Sequence, residues 1–273
     1  MPVRRVARAS VIAAGAAGVV LGAAACSSKP VYYQSPSASS AGASAPAASA
    51  PATSAPGASA TPAVSESPLP AASGQLTGTQ LQTVLLPQSS FPAGYSMSSA
   101  SAVSSGGSLE TAPASYDLGT VSCANFVQHL GDTGFGETAM ASNSFASTHA
   151  TQGFDQVVYQ FAGASAAGGF TSGIQSLAAR CGSFTATDNG VSGTFSMKAA
   201  AGPAVAGHPS VELRQTGKIS GTTVTLDTLF TSSGVDVFGA AGVGLGTAPP
   251  TTPATQALVY DLMKRQAAAA ELG

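Results

Sequence analysis

The chain has 273 residues, with 10 Lys plus Arg against 12 Asp plus Glu and a formal net charge of −2. Only 8% of its residues are charged, 44% are hydrophobic, 32 are Gly and none is Trp. That balance, with no basic stripe interleaved with aromatics, excludes nucleic acid as a partner class.

The N-terminus reads as an export signal. Arg4, Arg5 and Arg8 precede the uncharged run VIAAGAAGVVLGAAA, and Cys26 follows it. A basic head, an apolar run and small residues before a cleavage point make a secretory signal. A cysteine at the first mature position makes it the signal of a bacterial lipoprotein. Ala23, Ala24 and Ala25 resemble the lipobox, although Leu21 stands two residues earlier than is usual for its leucine. The same letters satisfy the A-x-A rule of ordinary secretion, which is the alternative. The run is shorter than the ~20 residues a bilayer span needs. The expectation is a signal peptide over 1–25, lipid on Cys26 and a location on the extracytoplasmic face of the cell membrane.

Cysteine arithmetic fits that expectation. The cysteines are Cys26, Cys123 and Cys181. An odd number in an exported chain leaves one thiol over, and lipid on Cys26 removes it. Cys123 and Cys181 then remain as one disulfide, which oxidising surroundings preserve; two separate buried thiols are the alternative. Closing such a loop is worth about 4 kcal/mol in the chain-entropy model.

Residues 26–73 are almost entirely Ser, Ala, Pro, Thr and Gly, with Lys29 and Glu66 as the charges. Such a segment has too little apolar surface to offset its ordering entropy, so a disordered tether is expected. As a flexible coil it reaches roughly 35–40 Å. Residues 74–273 suit one domain.

Within that domain, Leu81, Val84 and Leu85 recur at helical spacing up to Pro87. CANFVQHLG, from Cys123, is a short helix with Phe126, Val127 and Leu130 on one side. ETAMASNSFAS and FDQVVYQFAG are strands, the second with Val157, Tyr159 and Phe161 opposite Phe154, Val158 and Gln160. Phe170, Ile174, Leu177 and Cys181 make one face of the next helix. Asp188-Asn189-Gly190 joins two strands as a hairpin turn. SVELRQTGKISGTTVTLDTLFTSSGVDVFGAAG carries three more alternating runs. Thr252 as cap and Pro253 in the first turn open a closing helix with Leu258, Val259, Leu262 and Met263 on its apolar face. Strands run together instead of alternating with helices, so the expected class is α+β with an antiparallel sheet flanked by helices.

From about residue 76 to 268 these features resemble the PknH-like extracellular domain family. The shared residues are LLPQSSFPAGY after the entry helix, Cys123 at the start of the next helix, and Phe170 spaced to Cys181. The ELRQTG strand and the C-terminal helix complete the likeness. Members occur as sensor domains of mycobacterial serine/threonine kinases and as free-standing actinobacterial lipoproteins. The resemblance implies an antiparallel sheet flanked by helices around a ligand-binding cleft. The chain departs from the family in having no Trp and a single bridge in the domain.

Catalytic and metal chemistry find little support. G-x-S-x-G is absent, and GASAAG from Gly163 lacks its last required glycine. His129, His149 and His208 are scattered, with no CxxC or HxxxH spacing for a metal. GAAGVGLG, Gly239 to Gly246, lacks the lysine of a phosphate loop and reads as a loop or sheet-end glycine cluster. Glu212 and Arg214 fall on one face of a strand. Arg214 is the candidate ligand-binding residue, and a surface ion pair is its alternative. The function expected is that of a non-enzymatic, membrane-anchored, cofactor-free binding or sensor-like domain. Its partner would be a small molecule, a wall component or an envelope protein. The alternative is a secreted hydrolase or wall-modifying enzyme.

Overall fold

The computed structural model describes residues 69, 75–104, 117–130, 134–148, 151–188 and 191–270. Cys26, the segment 26–73, His149 and the His129 side chain lie outside them. The domain is α+β, with one eight-stranded sheet and helices on both faces.

Helix α1 (Gly78–Val84) begins where Thr77 and Gln80 form a capping box. The Thr77 hydroxyl accepts from Gln80 N, and Gln80 Oε1 accepts from Thr77 N at 2.8 Å. Strand β1 (Tyr95–Ser104) follows, and the sequence pattern did not predict it. Its residues, YSMSSASAVS, offer no apolar alternation because it is an edge strand and most of its side chains are exposed. Helix α2 (Cys123–His129) precedes β2 (Glu137–Ser147) and β3 (Gln152–Phe161). Helix α3 (Ala164–Arg180) leads to β4 (Phe184–Asp188) and β5 (Val191–Ala201), which meet at the expected hairpin. Strands β6 (Ser210–Ile219), β7 (Thr222–Ser233) and β8 (Asp236–Leu245) then run into α4 (Thr252–Ala270).

The strand order is β1-β2-β3-β8-β7-β6-β5-β4, antiparallel at every pairing. Two meanders therefore meet at β3 and β8. Helix α3 carries the chain from the middle of the sheet to its far edge, and β4 to β8 walk back.

Alternation along the strands feeds two cores. Tyr159, Phe170, Ile174, Leu177 and Phe230 pack under α2 and α3 on one face. Leu81, Phe145, Val158, Phe238 and Leu262 pack under α1 and α4 on the other. Cys123 and Cys181 are joined by a disulfide, tying the start of α2 to the end of α3.

Two expectations need correction. GAAGVGLG is not a loop; it forms most of β8, buried in the middle of the sheet. Glycine is required there because the chain after β8 folds back onto it: a Cβ on Gly242 would stand 2.8 Å from Pro250 O. Thr252 is the first residue of α4 rather than its cap: Thr251 O accepts from Thr255 N at 3.3 Å, and the Thr252 hydroxyl donates to Glu212 Oε1 at 3.2 Å.

Candidate binding face

Helices α1 and α4 cover β1, β2, β7 and β8 on their side of the sheet, and they leave β5 and β6 open. Lys198 on β5 is the direct partner of Arg214 on β6, which in turn faces Asp227 on β7. Direct partners of an antiparallel pair share a face, with Cβ atoms about 5 Å apart. Lys218 lies four residues along β6 from Arg214, on the same face. Lys198, Arg214 and Lys218 are exposed, and Glu212 completes the group. Three cations thus share this face with two carboxylates, in a chain with ten basic residues altogether.

Arg214 is held rather than free. Its Nε donates to Asp227 Oδ1 at 2.6 Å and its Nη2 to Asp227 Oδ2 at 2.8 Å. The carboxylate is 8% exposed and the arginine side chain 55%. The hydrogen bonds and charge of Asp227 raise the Arg214 pKa further, with a small contribution from Glu212. A bidentate pair fixes the guanidinium plane and leaves the remaining N–H groups for another acceptor. The expected Glu212 pairing is therefore replaced by Asp227, directly opposite the Arg on the neighbouring strand but thirteen residues away in sequence.

A groove of about 300 Å³ opens at the β5–β6 margin, lined by Thr194, Phe195, Ser196, Thr216 and Lys218 among others. Lys218 belongs to both groove and charged face. Hydroxyl-bearing residues beside fixed cations can bind an anion and neighbouring hydroxyls together.

Ser233 Oγ lies 3.3 Å from His208 Nε2, the contact an acyl-transfer reading would look for. A two-residue turn places that histidine, with Ala206 at φ +50° and Gly207 at +80°, and Val205 bridges to His208. Ser233 is 5% exposed, which leaves a substrate little access to its oxygen. Asp236, the acid nearest in sequence, accepts from Gln160 at 2.9 Å and from Gln266 at 2.9 Å. Among the described residues no carboxylate is hydrogen-bonded to His208, and none forms a metal-binding cluster.

Two buried acids escaped the sequence reading. Burial pushes the Asp236 pKa up to about 6 against the opposing hydrogen bonds from Gln160 and Gln266. Burial pushes Asp155 up to about 7, with Ser144 opposing. Each stands out in its strand as an acid among apolar residues, but alternation alone does not say which partners will reach it.

The fold and the open face describe a small α+β domain with a polar sheet surface beside a groove. No protein-family model and no curated protein matches the chain. Among solved structures, it is similar to the crystal structure of the extracellular domain of PknH from Mycobacterium tuberculosis. The similarity covers 69% of this chain and 97% of that one, at 15% identity and a TM-score of 0.47. No helix among the described residues is long and apolar enough to cross a membrane.

Proposed function

We propose that this is a non-enzymatic binding domain of the cell envelope, held at the extracytoplasmic face of the membrane by lipid on Cys26. Its open β5–β6 face takes an anionic, hydroxyl-rich ligand, such as a phosphorylated or carboxylated glycan. The observation that carries this reading is Lys198 standing directly opposite Arg214 on an exposed sheet face. Like charges at directly opposed positions destabilise a sheet. Asp227 offsets that repulsion in part, and a bound anion offsets the rest. Arg214 presents the fixed fork, Lys198 and Lys218 add charge, and the threonines and serines of the groove meet the ligand's hydroxyls.

Mass spectrometry of the native protein purified from membranes tests both parts. The expected result is diacylglycerol on Cys26 and a retained anionic molecule that the Arg214→Ala variant loses. Soluble protein with a free Cys26 thiol contradicts the anchor, and equal retention by the variant contradicts the site.

A further inference from the structure

Three cross-strand pairs follow one another along the open face. Lys198 opposes Arg214, Ser196 opposes Thr216, and Thr194 opposes Lys218. Successive pairs are two residues apart on each strand, so all six side chains leave the same side of the sheet, in rows about 7 Å apart. The outer rows carry charge and the middle row carries none. Lys198 and Arg214, against Asp227, leave one net positive charge at one end, and Lys218 puts another at the other. Four residues of β6 separate Arg214 from Lys218, a span of about 13 Å along the backbone.

The stretch between the charges is built of hydroxyls. The groove of about 300 Å³ runs past Thr194, Ser196 and Thr216 to Lys218. A hydroxyl both donates and accepts, which suits a ligand carrying hydroxyls of its own. Ser196 Oγ reaches Thr216 O only at 3.4 Å, long for a hydroxyl donor, so its internal bond is a weak competitor for such a ligand.

The two ends of the face differ. Glu212 lies two residues before Arg214 on the same side of β6 and accepts from the Thr252 hydroxyl, where α4 begins, at 3.2 Å. A carboxylate and a helix start close that end to an anionic chain. Past Lys218, β6 finishes at Ile219 and the chain turns through Ser220 and Gly221, both exposed, so the other end opens to solvent.

Resting on the anion-binding reading of this face, we propose that its ligand is a linear acidic oligosaccharide lying lengthwise along β6. A terminal acid group sits on Arg214 and Lys198, sugar hydroxyls lie over Ser196 and Thr216, and a second acid group meets Lys218. The chain leaves past Ser220. A single acidic sugar reaches one charged end of this span, whereas a short chain reaches both. Linking the two contacts makes the second one intramolecular and raises affinity without any new kind of contact.

Calorimetric titration tests the proposal, with circular dichroism confirming the fold of each variant. Tetragalacturonic acid should bind the wild type at least tenfold more tightly than galacturonic acid. Tetraglutamate, of the same net charge but without hydroxyls, should bind at least fivefold more weakly than tetragalacturonic acid. Lys218→Ala should cut the tetramer-to-monomer ratio below threefold, and Lys218→Arg should keep it. Glucose 6-phosphate separates the two levels of the argument. If it binds through Arg214 while the tetramer is no tighter than the monomer, the proposal is overturned and the anion site stands. If none of these anions binds, both fall. A ratio untouched by Lys218→Ala, or equal affinity for tetraglutamate, also overturns the proposal.

Discussion

Asp155 on β3 and Asp236 on β8 are buried to the same degree, 2% and 0% exposed, on neighbouring strands of one sheet. Their surroundings differ. Asp236 points under α1 and α4, where Gln160 and Gln266 each give it an N–H at 2.9 Å. Gln160 Oε1 accepts from Leu76 N at 2.6 Å, so one carboxylate links the entry to α1 with the C-terminal helix through β3. Asp155 points the other way, where the Ser144 hydroxyl alone opposes the effect of burial. Burial raises both pKa values, and the region with two amide donors is raised less. Burial therefore sets the direction, and the number of hydrogen-bond donors sets how far it goes.

The comparison can be broken in several ways. Asp155→Asn should have one of the largest effects on stability. An acid with a raised folded pKa is protonated in both folded and unfolded states below about pH 4. Between about pH 4 and 7 the folded state holds the proton more tightly, so its stabilising effect is lost as pH rises. A rise of that size corresponds to roughly a few kcal/mol. Chemical denaturation should show the wild type losing stability over that window, and Asp155→Asn gaining most at pH 8 and little at pH 4. A variant no more stable than wild type at pH 8 contradicts a carboxyl whose ionised form is disfavoured by burial.

Removing the disulfide through paired Cys123→Ala and Cys181→Ala changes is expected to cost up to about 4 kcal/mol, read from the denaturant midpoint. Asp236→Ala, by contrast with the Asp155 change, should destabilise by about 2 kcal/mol, because it strands two buried amide donors. Equal and opposite effects at the two aspartates would sharpen the contrast; a stabilised Asp236→Ala would remove it. Lys198→Glu should give the smallest shift. It removes a like-charge pair on the open face and should raise stability by a few tenths of a kcal/mol while weakening anion binding.

Much of the fold was legible in the sequence because alternation and helical spacing report burial directly. Val157, Tyr159 and Phe161 faced one core and Phe154 and Val158 the other, as their period required. The cysteine count led to the Cys123–Cys181 bridge. β1 was illegible because an edge strand of serine and alanine carries no apolar signal. GAAGVGLG misled because glycines in a central strand look like a loop until the chain folding over them is seen. At the candidate face, Arg214 was visible as a rare charge in a charge-poor chain, whereas Asp227 and Lys198 meet it only through strand register.

The most direct measurement of the central claim is calorimetric titration with glucose 6-phosphate, against glucose as control. The wild type should bind the sugar phosphate saturably, lose affinity as salt is raised, and ignore glucose. Arg214→Ala should weaken binding at least fivefold with the fold intact. Binding unchanged by Arg214→Ala, or equal for glucose and glucose 6-phosphate, contradicts an anion site on the open β5–β6 face.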